Sequence, residues 1–203
     1  MDGFARRKEQ SKEEIRRAAW ELFSQFGVEK VSMTDIANKA GVSQMTIYNN
    51  FGSKESLVRE FVTVMVEGLV SRAVEIVSQG NSYQEKMAAF FQFISTMMAD
   101  ERPSPSGSAV FSGNLDLQND PEIKEMRMKA QEQMIALLLN LIKEGKHQGQ
   151  VDERLSGGAL RIYLKMFMDI FVSHQFQHQY YRDRNLVNEM SLLMLHGLGG
   201  RNS

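Results

Sequence analysis

Cysteine is absent from this chain of 203 residues, which excludes disulfide bonds and thiolate metal ligands. Proline occurs only three times, and Pro103 and Pro105 stand close together, so long uninterrupted helices are allowed elsewhere. No apolar run approaches the roughly 18–20 residues needed to cross a bilayer, and the N-terminus lacks the apolar stretch of a signal peptide. These absences predict a protein of the cytoplasm.

Charge is nearly balanced, because the chain has 24 Lys and Arg and 25 Asp and Glu, which gives a net charge of −1. The balance alone does not point to a polyanionic partner. The N-terminal stretch nevertheless concentrates six basic residues, and acidic residues interleave with them. This cluster is compatible with DNA binding or with an ordinary solvated helix face. Its basic members are Arg6, Arg7, Lys8, Lys12, Arg16 and Arg17.

Apolar residues recur at three- and four-residue steps along most of the chain, which predicts an all-α fold. A first helix is expected over 8–26, and Gly27 is suited to end it. Ser32 and Asp35 have the spacing of a capping box at the start of a second, short helix. A third short helix is expected over 43–51. Longer helices are predicted over 54–78, 83–99, 121–148, 154–179 and 184–196, with a polar break over 101–114.

Two short helices joined by a glycine turn at Gly41 suggest a helix-turn-helix. Ile36 and Ile47 would lie in the small core where the helices cross, together with Ala37, Ala40 and Val42. The outward face of the second helix would then carry Ser43, Gln44, Met45, Thr46, Tyr48 and Asn49. Side-chain amides such as those of Gln44 and Asn49 bind the edge of adenine, and a methionine such as Met45 contacts the thymine methyl group. An ordinary helical hairpin within a bundle is the alternative interpretation.

The order of residues here resembles the tetracycline-repressor family (TetR/AcrR) of transcriptional regulators. The resemblance covers about residues 9–69. In the first helix it rests on Ile15, Ala18, Ala19, Leu22, Phe23 and Gly27. In the second part it rests on Ser32-Met33-Thr34-Asp35-Ile36-Ala37, Ala40-Gly41-Val42-Ser43, Thr46-Ile47-Tyr48, Phe51 and Ser53-Lys54-Glu55 followed by Leu57.

The resemblance implies roles for several positions in and beside the helix-turn-helix, although those that contact bases vary within the family. Phosphate contacts are implied for Ser32, Thr34, Thr46, Tyr48 and Lys54, and base contacts for Gln44, Met45 and Asn49. It also implies a domain plan: a flexible basic tail over 1–8, a DNA-binding domain over 9–69 with its helix-turn-helix at 32–51, a ligand-binding and dimerisation domain over 70–199, and a tail over 200–203.

The C-terminal two-thirds are rich in soft, large side chains, including many of the 14 methionines and 12 phenylalanines. Such residues fill cores, and they also line pockets for small apolar molecules. The helix over 154–179 is apolar on two faces, which favours a partner subunit on the second face or else a broader monomeric core. The resemblance implies that a homodimer forms through the last two long helices. The expected ligand-binding residues are Phe90, Phe93, Met97, Phe111, Met134, Tyr163 and Phe167.

His174 and His178 stand four residues apart, but no acidic or thiol third ligand accompanies them, so neither a metal nor a cofactor is expected. The resemblance favours a repressor that leaves a palindromic operator when a small-molecule effector binds. Two alternatives stay open. One is a ligand-independent, DNA-bound adaptor that recruits proteins. The other is a helical enzyme, although the chain lacks phosphate-loop, dinucleotide and zinc-protease motifs.

Overall fold

The structure, a computed structural model, describes residues 3–99, 119–172, 185–186, 189–190 and 192–194. These ranges are mainly helical and contain no β-strand, which confirms the predicted all-α fold. Within these ranges the helices are α1 (Gly3–Phe26), α2 (Met33–Ala40), α3 (Gln44–Phe51), α4 (Lys54–Ser78), α5 (Tyr83–Ala99), α6 (Pro121–His147) and α7 (Gly157–Val172). Residues 185–186, 189–190 and 192–194 are helical too, inside the helix predicted over 184–196.

Two helices begin three or more residues away from the start that the sequence predicts. α1 begins at Gly3 rather than Lys8, so residues 3–8 are helical where a flexible tail was expected. Arginine and lysine are good helix formers, which explains the extension. α7 begins at Gly157 rather than Arg154, because the hydroxyl of Ser156 caps it by accepting from the backbone N–H of Ala159 at 3.2 Å. The predicted end of that helix at Gln179 and the break over 101–114 lie outside the described residues.

The chain forms two compact units. Among the described residues, unit 1 comprises 3–65 and 119–124, and unit 2 comprises 66–99, 125–172 and the three short C-terminal segments. The division therefore falls inside α4, between Met65 and Val66, whereas the sequence predicts it between 69 and 70. The first residues of α6 belong to unit 1, which the sequence does not predict.

Unit 1 is built around aromatic residues that α1 and α4 supply. The ring of Phe61 meets those of Trp20 and Phe23 edge to face, with centroids 5.2 and 5.4 Å apart. Ile36 of α2 and Ile47 of α3 are both fully buried, as predicted for the helix crossing. Ala37 is also buried, while Ala40 and Val42 are half-buried at its edge. The two short helices pack against each other and against α1.

Unit 2 has its own core, formed by α5, α6, α7 and the unit's part of α4. Phe90, Met87 and Leu164 are among its most deeply buried side chains. The backbone of Gly145 approaches the ring of Tyr83 so closely that a Cβ there would lie 2.8 Å from Cδ2. Across the described ranges, no helix combines the length and the apolar character required to span a membrane.

Candidate nucleic-acid interface

The start of α2 is fixed by the predicted capping box. The hydroxyl of Ser32 accepts from the backbone N–H of Asp35 at 3.1 Å, and the Asp35 carboxylate accepts from the backbone N–H of Ser32 at 2.8 Å. The Ser32 hydroxyl also donates to this carboxylate at 2.6 Å. The hydroxyl bond first, and then the backbone bond, lower the pKa of Asp35 below its ordinary value. In this arrangement both donors of Ser32 are engaged by Asp35.

The turn between α2 and α3 depends on Gly41. Its φ of 68° lies in the left-handed region, where glycine avoids the steric cost of a Cβ. Its N–H ends α2 by donating to the carbonyl of Asn38 at 3.4 Å, and the next N–H, from Val42, donates to the carbonyl of Ala37 at 3.1 Å. The turn therefore sets the direction in which α3 leaves.

α3 is also capped at both ends. The hydroxyl of Ser43 accepts from the backbone N–H of Thr46 at 3.1 Å, and the two hydroxyls lie 2.8 Å apart. At the other end, Gly52 has a φ of 78°, and its N–H donates to the carbonyl of Tyr48 at 2.9 Å. Both ends of an eight-residue helix are thus fixed, which gives its outer face a defined orientation.

That outer face carries large side chains in solvent. Met45 is 67% exposed and Tyr48 is 46% exposed, while Ile47 between them is fully buried. Gln44 and Asn49 are exposed as well. A thioether, a phenol and two amides on one accessible helix match the chemistry of a major-groove surface, which offers methyl groups, donors and acceptors. Exposure of these residues agrees with the outward face expected from the sequence.

The remaining expected contact residues surround this helix. Thr34 is exposed and accepts a hydrogen bond from the Gln44 side chain, with 2.6 Å between Nε2 and Oγ1. Lys54 is half-buried at the start of α4, where Ser53 caps the helix by accepting from the backbone N–H of Ser56 at 3.2 Å. The charge of Lys54 also contributes, as a smaller effect, to the low pKa of Asp35. Unit 1 therefore brings the ends of α2, α3 and α4 together.

Arg16 of α1 supports the interface in a way that the sequence did not indicate. Its guanidinium lies 5.7 Å from the ring centroid of Phe51, the last residue of α3. It also donates from Nε to Glu60 of α4 at 3.0 Å, and Glu9 and Glu13 each approach within 3.4 Å. These bonds, chiefly the one to Glu60, raise the pKa of Arg16. Arg16 stood out in the sequence only as part of the basic cluster, where nothing separated a positioning role from solvation.

The expected ligand-binding residues fall into three groups. Phe90 and Met134 are buried in the core of unit 2, and Phe93 and Phe167 pack against that core. Tyr163 is 39% exposed and is not part of the core. The Met97 side chain and the whole of Phe111 lie outside what the structure describes, as do His174 and His178. Among the described residues, no group of three potential ligands suits a metal ion.

α7 presents a second apolar face to solvent. Leu160 and Leu164 are buried in the core of unit 2, whereas Ile162 and Met166 are 64% and 61% exposed. This is the division into two stripes that the sequence predicts. Leu193, in one of the short C-terminal segments, is 71% exposed. Ile162 and Met166 lie one helical turn apart and form a contiguous apolar patch, and such patches mark interaction surfaces.

Comparison with known proteins supports the interpretation of unit 1. Residues 15–61 match the model of the family described as bacterial regulatory proteins, tetR family. The matched segment runs from α1 through α3 into α4, so it contains the entire helix-turn-helix described above.

Curated relatives extend over most of the chain. The nucleoid occlusion factor SlmA of Vibrio atlanticus (strain LGP32) is 25% identical over 178 residues, covering 85% of this chain and 89% of the relative. The HTH-type transcriptional repressor KstR2 of Rhodococcus jostii (strain RHA1) is 25% identical over 144 residues, covering 69% of each.

A solved structure shows the same fold. The transcriptional regulator FadR from Bacillus subtilis, in complex with stearoyl-CoA, superposes with a TM-score of 0.57 at 20% identity, covering 92% of this chain and 98% of that one. With the helix-turn-helix, its exposed outer face and the family match taken together, residues 15–61 form a DNA-binding domain of the tetR family of bacterial regulatory proteins, and the chain is a DNA-binding transcriptional regulator.

Proposed function

We propose that this regulator is a repressor that binds a palindromic operator as a homodimer and leaves it when a small, mainly apolar molecule binds in unit 2. The observation that carries the DNA-binding part is the exposed outer face of α3, with Met45 and Tyr48 held in solvent on a helix capped at both ends. Acting on chromosomal DNA, the protein would work in the cytoplasm.

The residues of the interface divide by the chemistry that they offer. Hydroxyls and a cation suit phosphate oxygens, which position the protein without conveying sequence, and amides and a thioether suit base edges. We assign the phosphate contacts to Thr34, Thr46, Tyr48 and Lys54, and to Ser32 when its hydroxyl turns from the Asp35 carboxylate to the phosphate. We assign the base contacts to Gln44, Met45 and Asn49, with Ser43 at the end of α3 that enters the groove.

The dimer is inferred from the outer face of α7. Ile162 and Met166 project from a helix whose opposite face is already occupied by the core of unit 2. A second copy of the chain would cover these side chains through the same helix and the helical segment that follows it. Such self-complementary contact generates a two-fold axis, and a two-fold axis requires matching operator half-sites.

The effector is inferred from the composition of unit 2. Phe90, Phe93, Met134 and Phe167 lie in or against one core, and methionine adapts readily to irregular apolar molecules. FadR, which shares the fold, is described with stearoyl-CoA, a molecule with a long apolar chain. α4 contributes residues to both units, so a change in its position within unit 2 would displace the DNA-binding residues.

One relative favours a second candidate function. SlmA is named a nucleoid occlusion factor rather than a transcriptional regulator, and this chain covers 89% of its length. A DNA-bound adaptor that recruits proteins and senses no effector is therefore the alternative. The two functions share the DNA interface and differ in unit 2, which would bind a small molecule only in the first.

Two measurements test the proposal, and the second uses the duplex that the first selects. Selection of bound duplexes from a random library should enrich an inverted repeat, and enrichment of no sequence would contradict operator binding. Long-chain acyl-CoA is the first effector probe, titrated by calorimetry with and without the enriched duplex. Linkage requires the duplex to weaken acyl-CoA binding by the factor by which acyl-CoA weakens DNA binding, typically about 5–150-fold. Equal affinity in both titrations would count against release by this class of effector.

A further inference from the structure

A hydrogen bond joins the first residue of α3 to the second residue of α2. Nε2 of Gln44 donates to Oγ1 of Thr34 at 2.6 Å, and both side chains are exposed. The backbone at each end of this bond is fixed independently, since Ser32 caps α2 and Ser43 caps α3. The bond therefore constrains the Gln44 side chain rather than the fold around it.

The chemistry of the amide shows what this constraint achieves. A primary amide has two N–H donors and one carbonyl acceptor, and a bidentate contact to adenine uses one donor and the acceptor. The bond to Thr34 engages one donor and leaves the pair that matches adenine. An amide free to rotate by half a turn would exchange its donor and acceptor positions, and the match would be lost in the exchanged state.

We propose that Thr34 is a positioning residue for sequence readout: it fixes the amide of Gln44 so that Gln44 selects adenine at one base pair in each half-site. This inference rests on the operator binding proposed above and goes beyond it, because it gives Thr34 a part in specificity rather than in phosphate contact alone. The Thr34 hydroxyl accepts from Gln44, so its own hydrogen remains available to donate to a phosphate oxygen.

The test compares base preference rather than overall affinity. Binding of the wild-type protein, Thr34→Val, Thr34→Ser, Gln44→Ala and the double variant is measured on the selected operator and on duplexes with each half-site base pair replaced in turn. Gln44→Ala should lose the preference at one adenine. Thr34→Val should reduce the preference at that same base pair by about fivefold or more, as expected for a weakened bidentate contact. Thr34→Ser keeps a hydroxyl and should retain most of it.

The double variant separates positioning from independent contact. Adding Thr34→Val to Gln44→Ala should change base preference no further, although affinity for all duplexes falls if the hydroxyl also binds phosphate. The inference is overturned if Thr34→Val weakens every duplex equally, or if Gln44→Ala leaves all preferences intact. Melting temperatures confirm folding, and Thr34→Ala is a second variant without the hydroxyl. If the wild-type protein shows no base preference at all, the proposed function itself fails.

Discussion

The carboxylate of Asp120 caps α6 and at the same time pairs with Arg59 of α4. Oδ1 accepts from the backbone N–H groups of Glu122 and Ile123 at 3.0 and 3.1 Å, and Oδ2 accepts from Nε of Arg59 at 2.9 Å. Desolvation raises the pKa of Asp120, but these bonds outweigh it and leave the pKa below its ordinary value. Unit 1 thus holds the first turn of α6 against α4 through one side chain.

Replacing Asp120 should therefore destabilise the protein through two separable losses. Asp120→Ala removes both the cap and the ion pair, and should cost about 1–3 kcal/mol of unfolding free energy. Asp120→Asn keeps a side chain that caps well and loses only the charge, so its cost should be smaller. Urea unfolding at one protein concentration measures both. Glu122→Ala is the control, since Glu122 is 70% exposed and 3.7 Å from Arg59; a loss equal to that of Asp120→Ala would refute the special role of Asp120.

Gly145→Ala should destabilise unit 2 because the new Cβ would lie within 3 Å of the ring of Tyr83. That ring is buried and has little room to move, and overpacking of this kind costs about 1–3 kcal/mol. Gly157→Ala is the matched control in the first turn of α7, where nothing lies within 4 Å of an added Cβ. It should be neutral or stabilising by up to about 1 kcal/mol. Thermal unfolding of the two variants in parallel measures both effects. Equal changes in melting temperature would contradict the prediction.

The capping box of α2 should make stability depend on pH in a defined direction. Because Ser32 lowers the pKa of Asp35 in the folded protein, the carboxylate stabilises the fold above its unfolded pKa of about 3.9. This contribution is lost as the pH falls through the lower, folded pKa. The stability of the wild-type protein relative to Asp35→Asn should thus be greatest near neutral pH and should shrink on acidification. NMR titration of Asp35 checks the cause: Ser32→Ala should raise its pKa, and an unchanged pKa would contradict the assignment.

The exposed face of α7 should control assembly. Ile162→Asp combined with Met166→Asp places two charges where we propose a second copy binds, and desolvating them would oppose dimer formation. Sedimentation should show a shift from dimer to monomer without loss of helical content. Val64→Asp is the control, since Val64 is an apolar residue of α4 that is 49% exposed. If both proteins sediment as dimers, the interface lies elsewhere.

Much of the fold could be predicted because its determinants are local. The Ser32–Asp35 capping box, the left-handed Gly41 and the Asp120–Pro121 start of α6 are each specified by neighbouring residues. The helix period likewise assigned Ile47 to the core and Met45 to the surface correctly. The predicted starts of α1 and α7 were wrong for different reasons. Residues of high helix propensity extend α1 back to Gly3, and the cap of Ser156 delays the start of α7 to Gly157.

Contacts between residues that are distant in the sequence could not be predicted from it. Arg59 and Asp120 are separated by 61 positions, and nothing in the pattern of either segment links them. The same holds for Arg16 over the ring of Phe51, and for the Gln44–Thr34 bond between two helices. In unit 2, the composition predicted a core rich in Phe and Met but could not separate Phe90, which is buried in it, from the exposed Tyr163.

The most direct test of the account is a hydroxyl-radical footprint of the wild-type protein on its selected operator. We expect a dimer to protect two half-sites related by a two-fold axis, with major-groove centres about 34–36 Å apart or a multiple of that distance. Protection should be lost at both half-sites when Lys54→Ala is combined with Tyr48→Phe. A single asymmetric protected patch bound by one copy of the chain would contradict the account.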